Sequence, residues 1–66
     1  MTMLKVIEVL SESEKSWEDA AQSAVAKAAK SVHNIRSIYI KDMEAKVDNN
    51  RIVEYRINAK ISFVLD

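Results

Sequence analysis

Hydrophobic and polar residues alternate almost without interruption over residues 52–65, and this pattern predicts a β-strand. A strand of this kind has one face in a core and the other in water, as in an antiparallel sheet packed on a helix. Residues 35–47 predict a second strand, which becomes polar from Lys41 onward. The intervening residues 48–51, Asp-Asn-Asn-Arg, predict a tight hairpin turn, because asparagine tolerates positive φ.

A period of three and four residues predicts one helix over about residues 16–33. Its apolar stripe consists of Trp17, Ala20, Ala21, Ala24, Val25, Ala28, Ala29 and Val32. Ser16 is a plausible N-cap, and Asp19 three residues later resembles a capping box. Asn34 suits the left-handed conformation that often follows a helix. His33, at the predicted C-terminus, is interpreted as a partner of the helix dipole rather than a metal ligand.

The first element is predicted as a strand over residues 3–10, followed by a polar connection over residues 11–15. The resulting order is βαββ, an α+β fold. A helix between the first two strands makes them parallel, and the hairpin makes the third antiparallel to both. Placing the third strand in the middle, in the order 1-3-2, makes every neighbouring pair antiparallel. The clean alternation of the third strand fits that central position.

The chain is short for a stable monomer. Its 66 residues predict a single domain, 1–66, without cysteine for disulfides and with one histidine, too few for a zinc site. A helix of about 17 residues spans roughly 25 Å, whereas hairpin strands of about 13 residues span roughly 40 Å. Because one helix cannot cover such a sheet, we expect an obligate homo-oligomer. The alternative is a hairpin that overhangs and is kept soluble by its charges.

Charge and composition exclude several classes of function. Ten basic residues balance ten acidic ones along the chain, which argues against a nucleic-acid partner. The apolar runs are too short to span a membrane, and the N-terminus lacks the stretch of a signal peptide, so a cytoplasmic protein is expected. The sequence contains no cysteine nucleophile and no glycine for a phosphate loop. No enzymatic activity is therefore predicted.

Several segments, taken in order over nearly the whole chain, resemble the dodecin family. They are Lys5-Val6-Ile7-Glu8, Ser16-Trp17-Glu18-Asp19-Ala20-Ala21, Asn34-Ile35-Arg36, Glu54-Tyr55-Arg56-Ile57 and Lys60-Ile61-Ser62-Phe63. The resemblance implies a sheet wrapped on one helix and twelve subunits, built from trimers, in a hollow sphere. It also implies a non-enzymatic protein that stores or sequesters flavin (riboflavin or FMN) between aromatic side chains.

The family's flavin-binding residues do not carry over to this sequence. Ser37 stands where flavin-binding members have a stacking tryptophan, and Arg56 where they have a glutamine that hydrogen-bonds the ring. This departure resembles a subset described as calcium-associated. Ser37, Arg56 and Tyr39 are nevertheless predicted to lie on the polar face of the sheet, together with Met43. They form our candidate ligand site, since a guanidinium pairs with phosphate and stacks on rings; the alternative is a polar lining that binds only water and ions.

Three functions stay open at this point: a shell that holds flavin or another planar ligand, a flavin-independent calcium-binding shell, and a structural oligomer with a protein partner. Metal ligands are unknown. Asp42, Glu44 and Asp48 would reach the six to eight oxygens of calcium only by converging around a symmetry axis, and a solvated hairpin is the simpler interpretation. Trp17 is interpreted as packing at the helix start or in a subunit contact rather than against a ligand.

Overall fold

The computed structural model describes residues 2–65 and has the predicted βαββ order. Its elements are β1 (Leu4–Ser13), α1 (Trp17–Ala28), β2 (Ile35–Asp48) and β3 (Arg51–Val64). The three strands form one sheet in the order β1-β3-β2, and both pairings are antiparallel. The predicted α+β class and strand order are confirmed.

The core lies between α1 and the odd-numbered face of β3. Ala20 of the helix packs against Ile57 and Ala59 of the strand, and all three are at most 1% exposed. Small residues on both elements allow this close approach, since an alanine adds only one methyl group between the backbones. Half-buried apolar side chains complete the cluster: Val9, Trp17, Ala21, Ile38 and Ile40.

The helix begins as predicted, with Ser16 as its N-cap. The Ser16 side chain accepts a hydrogen bond from the backbone N–H of Asp19, at 2.9 Å. Buried Ser13, at the end of β1, donates to the Asp19 carboxylate (2.6 Å) and accepts from the backbone N–H of Lys15 (2.9 Å). These bonds join the last residue of β1 to the first turn of α1.

The helix ends five residues earlier than predicted. Its last residue is Ala28, and tighter hydrogen bonds close the following turn, such as Ser31 N–H to the Ala28 carbonyl (3.0 Å). The chain has to reverse here to enter β2, and Asn34 supplies the left-handed conformation with φ 60°. His33 lies in a bend outside the helix, so its predicted place at the helix C-terminus is wrong. Val32 is half-buried although it lies outside the helix. It continues the apolar stripe of α1 in the sequence, and the predicted helix is too long for this reason.

The first strand is longer than predicted. β1 continues through Ser13, opposite Tyr55, so that residues 11–13 are strand rather than connection. The long partner β3 supplies backbone hydrogen bonds that override the low strand propensity of serine and glutamate. Ser11 faces the helix and donates from Oγ to the Ala20 carbonyl at 2.8 Å. The extension places Glu12 directly opposite Arg56.

The hairpin turn lies at the predicted place and is made by Asn49 and Asn50, with φ of 53° and 64°. Two successive residues of positive φ match the two-residue turn whose twist suits a hairpin. The hairpin strands of 14 residues run well past the 12-residue helix. The chain is 51 Å long and 13 Å thin in consequence, and Val47 and Ile52 near the turn are more than half exposed. Within residues 2–65, no helix is long and apolar enough to cross a membrane.

Replacing Asn50 by valine is expected to destabilise the hairpin by about 1–2 kcal/mol, because a β-branched residue opposes the left-handed conformation. Replacing Asn50 by glycine is expected to leave stability unchanged or to raise it slightly, since glycine adopts this conformation freely. Denaturant unfolding at matched protein concentration measures the difference. Equal midpoints for the valine and glycine variants would contradict a positive φ at residue 50.

Candidate functional site

The face of the sheet opposite the helix, here called the open face, carries the predicted ligand residues. Directly paired residues of neighbouring strands lie on the same face. Successive rows across β1, β3 and β2 are therefore Val6–Ser62–Ser37, Glu8–Lys60–Tyr39, Leu10–Asn58–Asp42 and Glu12–Arg56–Glu44. The strand alternation places these residues away from α1, so this face carries the charged chemistry of the sheet.

Arg56 is held between two carboxylates, one on each neighbouring strand. Its Nε and Nη2 donate to the same oxygen of Glu12, at 2.9 and 2.6 Å, and its Nη1 donates to Glu44 at 3.2 Å. The Arg56 side chain is 44% exposed, Glu12 43% and Glu44 64%. Two negative charges around one positive charge leave this row with a net charge of about −1 at neutral pH.

The ion pair between Glu12 and Arg56 shifts the pKa values of both groups. The hydrogen bond from Arg56, with its positive charge, holds the pKa of Glu12 below the usual range. The hydrogen bond and negative charge of Glu12, with a further contribution from Glu44, raise the pKa of Arg56. Both effects stabilise the charged forms, so the ion pair persists at neutral pH.

A shallow cavity of about 220 Å³ opens beside this row. Its lining is Glu12, Glu44, Ala45, Lys46, Glu54 and Arg56. Three carboxylates face two cationic groups there. A second depression, lined by Leu10, Ser11, Glu12, Lys27 and Arg56, also includes the Glu12–Arg56 pair, so that this ion pair lies between two concave surfaces.

Ser37 and Tyr39 lie far from Arg56 along the open face. Ser37 is opposite Ser62, and their Oγ atoms share a hydrogen bond, whereas Tyr39 is opposite Lys60 and 64% exposed. Ser62 is six positions along β3 from Arg56, which corresponds to roughly 20 Å. The three predicted ligand residues therefore share the face but do not converge within one chain. A single site containing all three would need residues from two subunits.

Met43 does not share the face of Ser37, contrary to the sequence prediction. The pairing shifts between Ile40 and Asp42, because Lys41 is an extra residue on β2 with no counterpart on β3. Such a bulge reverses the alternation beyond it. Met43 is consequently opposite the buried Ile57, on the helix side of the sheet. The same bulge brings Asp42 and Glu44 to the open face.

Trp17 holds β2 from the helix side, at the level of the Arg56 row. Its indole Nε1 donates to the backbone carbonyl of Glu44 at 3.0 Å, and its ring meets Tyr55 edge to face with centroids 4.9 Å apart. The prediction that Trp17 packs at the helix start is confirmed. Glu44 is thus fixed twice, by Trp17 through its backbone and by Arg56 through its carboxylate.

The acidic residues considered for calcium do not form a site within one chain. Asp42 is opposite Asn58, Glu44 pairs with Arg56, and Asp48 is opposite Arg51 beside the turn. Over residues 2–65, no three acidic or histidine side chains are arranged to hold a metal ion. Since calcium takes six to eight oxygens, a site would need carboxylates from several copies of the chain.

The two positions that the sequence resemblance associates with flavin carry no aromatic ring. Ser37 is hydrogen-bonded to Ser62 and offers no ring for stacking, which contributes about 1–3 kcal/mol per base in the related case of nucleic acids. The donors of Arg56 point at Glu12 and Glu44. Tyr39 is the exposed aromatic side chain that the open face presents among the described residues.

Sequence reasoning missed Glu12, the main partner of Arg56. The polar residues 11–15 predict a connection rather than a continuation of the first strand. The sequence does contain an indication of the longer strand, because Leu10 and Glu12 continue the two-residue spacing that puts Val6 and Glu8 on one face. Extending β1 by one such step would have placed Glu12 on the polar face with Arg56.

Replacing Arg56 by glutamine is expected to raise the pKa of Glu12 toward its ordinary value of 4.5, because the donated hydrogen bonds and the positive charge are lost. NMR titration of the Glu12 carboxyl carbon measures this, and Arg36→Gln is the matched control that should leave it unchanged.

Because folding lowers this pKa, the pair stabilises the fold above pH 4.5, and the contribution disappears as pH falls through the lowered pKa. The change in stability should be small, since both groups are exposed. An unaltered titration in Arg56→Gln would contradict the pairing.

Comparison with known proteins agrees with this fold. The family model described as Dodecin matches residues 3–66. The calcium dodecin of Mycobacterium tuberculosis (strain ATCC 25618 / H37Rv) is 38% identical over 63 residues, covering 96% of this chain and 89% of that protein. Its crystal structure, described as a calcium-chelating immunodominant antigen with a novel calcium-binding site, superposes with a TM-score of 0.82 at 36% identity, covering 97% of this chain and 91% of that one. A variant of the T. thermophilus dodecin superposes with a TM-score of 0.93, covering 100% of this chain and 98% of that one; at 24% identity it shows the fold alone.

Proposed function

This chain belongs to the dodecin family, and on that premise we propose that it is the subunit of a non-enzymatic homododecameric shell, built from trimers, that binds a small ligand or ion. The observation that carries the oligomer is the hairpin end beyond α1. Val47 and Ile52 are 62% and 53% exposed there, at the end of β2 and β3 that extends past α1. Contiguous exposed apolar residues mark contact surfaces, and further copies of the chain would cover them.

Calcium is the ligand that we propose first. The support is the 38% identity to a protein named calcium dodecin, together with the poor match of Ser37 and Arg56 to flavin. Asp42 and Asp48 are exposed carboxylates on the hairpin, whose charges no arginine side chain in the described residues neutralises by a salt bridge. Calcium prefers such oxygens, and in an oligomer equivalent carboxylates meet around symmetry axes.

Flavin is the second candidate, and Tyr39 is the observation in its favour. Its ring is 64% exposed on the open face, with Lys60 beside it, and offers a surface for an aromatic ligand. A dodecin without calcium or flavin would be a structural oligomer with a protein partner, which is the third candidate. In each case we propose no catalysis, because the sequence offers no cysteine nucleophile and no glycine for a phosphate-binding loop. Location in the cytoplasm stays a prediction from the sequence.

The oligomer is tested by size-exclusion chromatography with light scattering on the whole chain. A single species with the mass of twelve subunits is expected, and a stable monomer would overturn the shell. The ligand is tested on the same sample by thermal unfolding with calcium or with EGTA, and by quenching of riboflavin and FMN fluorescence.

A rise in melting temperature with calcium, without flavin quenching, supports the first candidate. The variant Asp42→Asn with Asp48→Asn should lose that rise, whereas the matched control Glu14→Gln with Glu18→Gln should keep it. Saturable flavin quenching that Tyr39→Leu abolishes would favour the second candidate instead. A dodecamer that responds to neither ligand would leave the protein-partner function.

A further inference from the structure

We infer that Glu12 and Glu44 set the ligand specificity of the open face: by holding Arg56, they exclude phosphate-bearing ligands and favour uncharged or cationic ones. This inference rests on the proposed function, because it concerns which small ligands the shell takes. It assigns a role to two exposed carboxylates that the sequence-based candidate ligand site did not include. It also reverses the sequence-based expectation that Arg56 recruits phosphate.

The geometry of the guanidinium carries the first step. Three of its nitrogen atoms already donate hydrogen bonds to carboxylates, two to Glu12 and one to Glu44. An arginine recognises phosphate through two parallel N–H groups presented together. The Nε–Nη2 edge, which is one such pair, is occupied by Glu12 at 2.6–2.9 Å. A phosphate would have to displace a charged partner that is already in place.

The local charge carries the second step. Around the cavity beside Arg56, the carboxylates of Glu12, Glu44 and Glu54 face the cations of Arg56 and Lys46. The lining therefore has one negative charge in excess near neutral pH. A dianionic phosphate entering about 220 Å³ of space would be repelled by that excess, whereas a cation or an uncharged hydrogen-bond donor would not.

The architecture makes this arrangement persistent rather than incidental. Glu12, Arg56 and Glu44 are paired across three strands in one row, so the sheet fixes their spacing. Glu44 is also held through its backbone carbonyl by Trp17. Two carboxylates from opposite edge strands thus close on the central arginine from both sides.

The test measures binding of inorganic pyrophosphate by isothermal titration calorimetry. The intact protein is expected to bind it weakly, and Glu12→Gln with Glu44→Gln is expected to tighten binding by at least about tenfold, because the freed guanidinium gains charged hydrogen bonds. Adding Arg56→Gln to that double variant should remove the gain. The control Glu14→Gln with Glu18→Gln makes the same change in net charge away from Arg56 and should leave binding unchanged.

Equal affinity of the intact protein and the Glu12/Glu44 variant would overturn the inference, as would a gain that survives Arg56→Gln. A second measurement is made on the intact protein: the NMR signal of the Arg56 side-chain Nε–H should not shift at pyrophosphate concentrations that saturate the Glu12/Glu44 variant, and saturation of a shift in that range would also overturn the inference. These readouts depend only on charge at Arg56. If neither calcium nor flavin bound, the proposed function would be wrong, but the pyrophosphate measurements at Arg56 would be unaffected.

Discussion

Replacing Ile57 by alanine is expected to destabilise the fold by about 2–5 kcal/mol, the usual range for emptying a buried isoleucine site. Ile57 is 1% exposed and packs against Ala20 and Ala59 in the centre of the core. The core is small, so few neighbours are free to move into the space. Because stabilities of domains are only about 5–15 kcal/mol, this single change removes a large share.

Thermal or denaturant unfolding at fixed protein concentration measures the effect. Ile52→Ala is the matched control on the same strand, since Ile52 is 53% exposed in the single chain. Its cost should be smaller and should depend on protein concentration if subunit contacts bury it. Ile57→Val should cost about 0.5–1.5 kcal/mol, as the loss of one methylene group predicts. A cost at residue 57 no larger than at residue 52 would contradict the position of the core.

The sheet was predictable because its central strand carries strong local signals. Alternation along β3 identified the buried face, and Ile57, Ala59, Ile61 and Phe63 are indeed buried. The strand order followed from connectivity, since the arrangement 1-3-2 is the one in which all neighbours are antiparallel. The hairpin turn followed from the chemistry of its asparagines.

The helix end and the first strand were harder because tertiary contacts decide them. Val32 continues the apolar period beyond Ala28, yet the chain has already turned toward β2. Ser11 and Ser13 have low strand propensity, but pairing with β3 and hydrogen bonds to α1 hold them extended. At the helix end the residue type describes burial correctly and the backbone conformation incorrectly, whereas at Ser13 the polar residue type predicts neither the burial nor the strand.

The sequence predicts on which face of the sheet the candidate site residues lie, but not the distances between them. The alternation along β2 correctly places Ser37 and Tyr39 on the face of the sheet away from the helix. It holds as far as Ile40 and is interrupted by the bulge at Lys41. No residue pattern in the sequence marks that bulge. The distance between Ser37 and Arg56 and the pairing of Arg56 with Glu12 both depend on the register of three strands, which single-strand patterns do not fix.

Replacing Val47 by aspartate is expected to break the proposed shell into smaller species. Val47 is 62% exposed in the single chain, lies opposite Ile52 next to the turn, and belongs to the hairpin end that α1 does not reach. If further copies bury this end, aspartate places an unpaired charge in an apolar contact. Such burial costs several kcal/mol per ion, and a symmetric assembly repeats the cost at every equivalent contact.

Size-exclusion chromatography with light scattering measures the loss of the high-mass species. Asn49→Asp is the matched control: it adds the same charge at the same end of the molecule, within the turn, at a positive φ that aspartate tolerates. The control should keep its assembly, so a loss specific to Val47→Asp separates apolar burial from general charge repulsion. If Val47→Asp assembled as the unaltered chain does, the hairpin end would be a free, overhanging arm, and the contact that closes the oligomer would lie elsewhere on the sheet or helix.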